Sequence, residues 1–124
     1  VDILDAQIVN FGIKYSVVVT QSVNKIQIIQ NINNKLSDAL QKKYFQIDQP
    51  IVIDDITNII INTDSVIALS DLRVFPRVGL VEKRNYASST FPFERSTKRG
   101  IIYGPPGSIF EVKFPENDLI GSAM

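Results

Sequence analysis

The sequence contains no histidine and no cysteine. Histidine is the commonest general base and metal ligand, and cysteine is a strong nucleophile. The side chains that most often perform acid–base catalysis, nucleophilic attack and metal binding are therefore absent. Without cysteine, disulfides and thiolate metal sites are also excluded, and the redox compartment stays undetermined. Only Asp, Glu, Lys and Tyr remain for catalysis. We therefore predict that the protein is not an enzyme and uses no cofactor, metal or small-molecule substrate.

Long hydrophobic runs and a secretion signal are missing as well. No apolar run approaches the ~18 residues that a membrane-spanning helix needs, and the first residues do not form a basic and then apolar leader with a cleavage site. The only methionine is Met124, which indicates the C-terminal piece of a longer chain. We predict a single domain over residues 1–124, with a strand–helix–helix–strand core in 1–75 and a loop-rich hairpin extension in 76–124.

Positive charge is scarce in the first part of the chain. Residues 1–72 hold five Lys/Arg and eight Asp/Glu, whereas residues 73–124 hold eight and five. Every arginine lies in the second part, and the densest stretch, residues 73–99, interleaves basic residues with Tyr86, Phe91 and Phe93. Such a stretch suits docking on a protein or, as the alternative, a nucleic-acid-binding module that uses phosphate contacts and base stacking. The net charge of zero favours the protein partner.

Hydrophobic periodicity predicts the elements of the first half. Apolar residues alternate over residues 7–20, which indicates a half-buried strand with Phe11 and Tyr15 on its inner face. Spacings of three and four from Val23 to Tyr44 predict an amphipathic helix of about five to six turns, with Ser22 or Asn24 as its N-cap. The predicted apolar face of this helix contains Val23, Ile26, Ile29, Ile32, Leu36, Ala39, Leu40 and Tyr44.

Proline, glycine and aspartate indicate the turns and helix starts in the rest of the chain. Pro50 favours an extended bridge over residues 45–51, and Asp54 or Asp55 is expected to cap a short helix that ends near Asn62. Residues 66–75 alternate as a second strand, with Leu69 out of phase. The turn over residues 104–107 is expected to join two strands of a C-terminal hairpin. These features predict an α+β fold in which two helices pack on one face of a mixed or antiparallel sheet, with an extended C-terminal hairpin and tail.

Two groups of carboxylates are the remaining candidates for chemistry. Asp54 and Asp55 are adjacent, but helix capping explains them. Glu111, Glu116 and Asp118 are too widely spaced for a calcium loop, so we interpret them as solvated charges at the rim of the fold. A metal-dependent hydrolase that uses Asp54 or Glu111 is therefore a remote alternative. Residues 104–107 lack the Lys-Ser/Thr of a phosphate-binding loop.

A series of short motifs, taken in order, carries a resemblance over nearly the whole chain. The motifs are Ile8-Val-Asn-Phe-Gly-Ile-Lys-Tyr-Ser-Val-Val-Val19, the helix start at Asn24-Lys25, Phe45-Gln-Ile-Asp-Gln-Pro-Ile51, Asp54-Asp-Ile-Thr-Asn-Ile-Ile60, Asp64-Ser-Val66 and Ser108-Ile-Phe-Glu-Val-Lys-Phe-Pro-Glu-Asn-Asp-Leu-Ile-Gly121. In this order they resemble the C-terminal domain of the baseplate wedge proteins of T-even-type contractile-tailed bacteriophages, related to the baseplate J-like family.

The resemblance implies a structural role in the virion. Proteins of this family form a ring around the tail hub, and their C-terminal domains pair between neighbouring copies. The implied partners are a second copy, as a homodimer, and other baseplate wedge proteins, and the implied location is the tail baseplate, assembled in the host cytoplasm. The family has no catalytic residues to transfer to this sequence.

The residues that contact a partner are inferred from the sequence itself. The late loop and the tail carry more apolar residues than a peripheral extension normally exposes. Alternation assigns Phe110, Val112 and Phe114 to the sheet of the same chain. We therefore predict that the remaining aromatic, basic and aliphatic side chains form the partner interface, namely Phe91, Phe93, Arg95, Arg99, Leu119 and Ile120.

Overall fold

The computed structural model describes residues 7–42, 48–81, 84–86, 93, 97–98 and 100–124. Its helices are α1 (Lys25–Lys42), α2 (Ile53–Ile61) and the short α3 (Pro115–Asp118). Its strands are β1 (Gln7–Val19), β2 (Ile51–Val52), β3 (Val66–Pro76), β4 (Leu80–Val81), β5 (Arg84–Asn85), β6 (Thr97–Lys98), β7 (Ile101–Ile102), β8 (Ser108–Glu111) and β9 (Leu119–Ala123). The α+β class predicted from the sequence is confirmed.

β1 is the central strand of the main sheet. It pairs antiparallel with β3 along one edge, and its other edge pairs in parallel first with β8 and then with β9. The inner-face side chains Phe11, Ile13 and Tyr15 are almost completely buried. The predicted alternation of the first strand is therefore confirmed, and the sheet is mixed.

The predicted C-terminal hairpin is wrong. The strands on either side of residues 104–107 do not pair with each other, because β7 pairs with β2 and β6 whereas β8 pairs with β1. Ser108, Ile109 and Phe110 are all buried. A parallel strand beside β1 buries successive residues on both faces, which a hairpin at the surface cannot do.

Helix α1 packs its apolar face on the sheet and begins where the sequence predicts. The Gln27 N–H donates to Asn24 Oδ1 at 3.2 Å, so Asn24 is the N-cap. The buried residues follow a spacing of four, and they are Ile28, Ile32, Leu36 and Leu40. Ile26 was predicted on this face but is 73% exposed, because the buried row starts at Ile28 instead.

Helix α2 starts differently from the prediction. Its N-cap is Val52, with no side-chain hydrogen bond, so the predicted capping by Asp54 or Asp55 is wrong. The chain passes directly from β2 into the helix, and the Ile53 N–H donates to the Gly100 carbonyl at 2.8 Å. Both aspartates lie in the first turn, where negative charge interacts favourably with the helix dipole. The predicted end at Asn62 is confirmed.

Two bulges explain the imperfect alternation of β3. Its register against β1 shifts at Ser70 and again at Ile67, where β3 carries one extra residue each time. Leu69 consequently packs on the core with Leu72 and Val74. The sequence placed Leu69 on the opposite face because simple alternation takes no account of a bulge.

The second half of the chain supplies core residues and is not a peripheral extension. Phe93, Ile102, Phe110, Val112 and Leu119 belong to the same buried cluster as the inner face of β1. The predicted division between a core in residues 1–75 and an extension in residues 76–124 is therefore wrong. The long-range strand pairs of β8 and β9 with β1 produce this arrangement, and local periodicity does not reveal such pairs.

Helix α1 and strand β9 are joined through partly buried polar groups. The Tyr15 hydroxyl donates to Asn33 Oδ1 at 2.5 Å, and Asn33 Nδ2 donates to the Leu119 carbonyl at 3.2 Å. Burial raises the pKa of Tyr15 above its ordinary value. Asn33 thus ties the C-terminal strand to α1. In the part of the chain that the structure describes, no helix has both the length and the apolarity to cross a membrane.

Candidate assembly surface

The structure places two of the predicted contact residues in the core. Phe93 is 4% exposed and Leu119 is 3% exposed. The Phe93 ring packs at centroid distances of 6.3 Å from Phe11 and 6.0 Å from Phe110. Neither side chain has enough surface for a partner, so both predictions are corrected. Their apolar character reflects packing within the chain.

The other predicted contact residues are on the surface or outside the described residues. Ile120 is 40% exposed, since it alternates with the buried Leu119 along β9. Its role as a contact stays a prediction. Phe91, Arg95 and Arg99 lie outside the described residues, as does the stretch 45–47 of the predicted extended bridge.

Asp118, at the end of α3, is completely buried. Its Oδ1 accepts a hydrogen bond from Arg77 Nε at 3.0 Å and another from the Tyr86 hydroxyl at 2.7 Å. Its Oδ2 accepts from the Phe114 N–H at 3.3 Å. The prediction of a solvated rim charge is wrong for Asp118, because these donors replace its hydration.

Aromatic rings surround this buried ion pair. The Arg77 guanidinium lies 4.8 Å from the centroid of the Phe75 ring, and the Tyr86 and Phe114 rings meet edge to face at 5.3 Å. Burial, followed by the hydrogen bond to Asp118 and its charge, raises the pKa of Tyr86 to about 12. The phenol therefore stays neutral at physiological pH and serves as a hydrogen-bond donor.

The cluster of Arg77, Tyr86, Phe114 and Asp118 holds two parts of the chain together. It ties the segment after β3 to the turn before β9. Arg77 and Tyr86 were not predicted as site residues, because their partner lies far away in sequence. A usable signal was the position of Asp118 directly before the apolar pair Leu119-Ile120, since a carboxylate among buried neighbours requires a partner.

Glu111 and Glu116, the other two carboxylates of this group, have partners of their own. Glu111 Oε1 accepts a hydrogen bond from Asn10 Nδ2 at 2.8 Å, and Glu116 lies 3.8 Å from Arg84 across an exposed pair. Among the described residues, no three Asp or Glu side chains converge closely enough to hold a metal ion. A cleft of about 300 Å³ lies between α1 and residues 110–115, with Ser37, Glu111 and Lys113 in its lining.

The sheet face that points away from the helices is open, among the described residues, where β1 carries Lys14, Ser16 and Val18, whereas Asn10 and Gly12 at its other end are buried. Leu72 and Val74 of β3 face the core, so the alternating residues Asp71 and Arg73 point outwards, and their side chains are 52% and 75% exposed. On the same face, Ile120 of β9 and Met124, which directly follows β9, are 40% and 61% exposed. We call this surface the open face.

The chain matches no protein-family model and no curated protein.

Within the described residues, β3 pairs only with β1. Its other edge forms the margin of the main sheet over a strand of 11 residues. A long edge strand presents unpaired backbone N–H and C=O groups, and these groups pair readily with a strand of another chain. The open face and this edge form the candidate assembly surface.

Proposed function

We propose that the protein is a non-enzymatic structural domain of a phage tail baseplate that associates with itself and links neighbouring wedges. The observation that carries the proposal is the combination of a sheet face left uncovered by helices with an edge strand paired on one side. The order of motifs that resembles baseplate wedge proteins supports the proposed biological setting. The proposed location is the virion, with assembly in the host cytoplasm and other wedge proteins as further partners.

The exposed apolar side chains support an association role. Ile67 is 63% exposed beside the open face, and Met124 is 61% exposed on it. Across the strands, Val18 lies opposite Ala68 of β3, and Met124 bonds to β1 on either side of Val18. This places an apolar row at one end of the open face. Burial of such surface stabilises protein association by about 25 cal/mol per Å² before the costs of association are subtracted.

Rigid packing beneath the surface supports transmission of force. Arg77 and Asp118 are held at 3.0 Å in a buried pair, and β9 is fixed by Asn33. A surface on such a framework keeps its shape when a partner pulls on it. This property suits a ring whose contacts persist while the assembly changes shape.

Nucleic-acid binding is weaker as a proposal. Two described arginines of the basic stretch, Arg77 and Arg84, lie 3.0 Å and 3.8 Å from the carboxylates of Asp118 and Glu116. Paired arginines release fewer counterions on binding phosphate, so they add less affinity.

The test is the solution mass measured by size-exclusion chromatography with light scattering over a wide range of concentrations, at low and at high salt. We expect a dimer whose population rises with concentration and persists at high salt. A monomer at every concentration would overturn autonomous self-association. If the protein binds labelled single-stranded DNA and this binding is lost as the salt concentration rises, the result would favour the nucleic-acid-binding alternative instead.

A further inference from the structure

We propose that the free edge of β3 pairs antiparallel with β3 of a second copy of the chain, about a two-fold axis at Leu72. This inference rests on the proposed self-association and specifies the surface that carries it. The direction of the backbone groups, the order of charges along the strand and the position of Pro76 all support this pairing.

The hydrogen-bond pattern of β3 shows which backbone groups point outwards. The Arg77 N–H donates to the Asn10 carbonyl at 3.0 Å, one step beyond the pair of Phe11 with Pro76. In an antiparallel ladder, hydrogen-bonded and non-hydrogen-bonded pairs alternate. Phe75 and Arg73 therefore bond to β1, whereas the N–H and C=O groups of Leu72 and Val74 point to the free edge.

A two-fold axis must lie at a residue whose backbone groups point outwards. With the axis at Leu72, each Leu72 exchanges two hydrogen bonds with its equivalent in the other copy. Asp71 of each copy then lies opposite Arg73 of the other in a non-hydrogen-bonded pair, where Cβ atoms approach to about 4.5–5.5 Å. The strand is thus self-complementary in charge about Leu72.

The neighbouring registers are less favourable. An axis at Val74 would place Pro76, which has no N–H, opposite Leu72 and would put Asp71 opposite the already paired Arg77. An axis at Ser70 would centre the contact on a bulge and place Arg73 opposite the apolar Ile67. Charges on an edge strand normally suppress indiscriminate pairing. Here the same charges favour one register.

The pairing leaves the rest of the fold in place. Asp71 and Arg73 lie 3.5 Å apart within one chain, and both are solvent-exposed, so the exchange of partners requires only side-chain rotation. An axis perpendicular to the sheet keeps the helical layers of both copies on one side. The result is a continuous sheet across the dimer, with the open faces joined.

Complementary charge reversals test this register. Asp71→Arg gives each copy two arginines at the contact, and Arg73→Asp gives each copy two aspartates. We expect either variant alone to dimerise about tenfold or more weakly than the wild type, because like charges then face each other. An equimolar mixture of the two variants restores dimers, and these are heterodimers in native mass spectrometry. The double variant Asp71→Arg/Arg73→Asp also restores dimers.

Cysteine cross-linking provides a second readout, because the chain has no cysteine of its own. Asp71→Cys mixed with Arg73→Cys should form an intermolecular disulfide under mild oxidation, since non-hydrogen-bonded pairs bring Cβ atoms close enough. Each variant alone should cross-link far less. Lys14→Cys, on the neighbouring strand of the same face, is the control that should not cross-link with either.

The outcomes separate the two proposals. A wild-type dimer that neither charge reversal weakens, and that the cysteine pair does not trap, would overturn pairing through β3 and leave self-association standing. A wild-type protein that remains monomeric would overturn both. Urea unfolding of the charge variants checks that these exposed substitutions leave the monomer folded.

Discussion

Asp118 is the residue on which the attachment of the C-terminal strand depends. It accepts hydrogen bonds from Arg77 and Tyr86 without any exposure to solvent. We expect Asp118→Asn to lower the free energy of unfolding by about 2–4 kcal/mol, because the half-buried Arg77 loses its counter-charge. Urea unfolding measures the difference. Glu116→Gln is the matched control on α3, and its exposed pair with Arg84 should be worth less than about 0.5 kcal/mol. Equal effects of the two substitutions would contradict the conclusion that the buried contacts of Asp118 stabilise the fold.

Tyr86 makes the same cluster sensitive to alkaline pH. Its pKa is raised to about 12 from its ordinary value of 10, so the folded state holds the phenolic proton more tightly than the unfolded state. Its contribution to stability is complete below the unfolded pKa and is lost as pH rises through the folded pKa. We expect the unfolding free energy to fall between pH 10 and about 12, and to fall less in Tyr86→Phe. Some decline persists because burial also raises the pKa of Tyr15. An identical decline in both proteins would exclude the Tyr86 phenol as a titrating group.

At the scale of single residues, the sequence predicts apolar positions better than it predicts which of them face a partner. Leu119 and Ile120 are adjacent and equally apolar, yet one is 3% and the other 40% exposed. Their difference depends on the parallel pairing of β9 with β1, which spans more than a hundred residues of sequence. Local composition contains no information on such a pair.

At the scale of elements, strands and helices defined by their own periodicity were predicted, and elements defined by distant contacts were not. The first strand and the Asn24 cap follow from local pattern. The bulges of β3 and the pairing of β8 both depend on contacts with β1, which lies far away in the sequence. The wrong prediction of a C-terminal hairpin shows this limit. A Gly-Pro-Pro-Gly turn indicates that the chain changes direction, but it does not indicate which strand the following residues pair with.

Gly12 permits the close approach of three elements at the end of the sheet. A Cβ at this position would lie 2.8 Å from the Asp118 carbonyl oxygen and would collide with the Phe75 ring. We expect Gly12→Ala to destabilise the fold by about 1–3 kcal/mol, because the backbone before β9 must move. Thermal and urea unfolding provide the measurement. Lys14→Ala, an exposed substitution two residues along β1, should change stability by less than about 0.5 kcal/mol. If Gly12→Ala leaves the stability of the fold unchanged, α3 can shift freely.

At the scale of the whole molecule, hydrogen exchange can distinguish a free edge from a paired one. β1 is bonded along both edges, so its amides should be the most protected at every concentration. The Leu72 and Val74 amides should exchange rapidly in dilute protein because they point to the free edge of β3. The Arg73 and Phe75 amides, bonded to β1, act as internal controls on the same strand.

Raising the protein concentration should protect the Leu72 and Val74 amides selectively if copies pair through β3. Burial of the open face alone would instead leave the exchange of these two amides fast, because such burial adds no hydrogen bonds in the plane of the sheet. Protection that rises equally for Leu72, Arg73, Val74 and Phe75 would indicate general stabilisation of the fold on association. The alternation itself is therefore the decisive observable, since only an added strand slows the outward-pointing amides of β3 and leaves the amides between them unchanged.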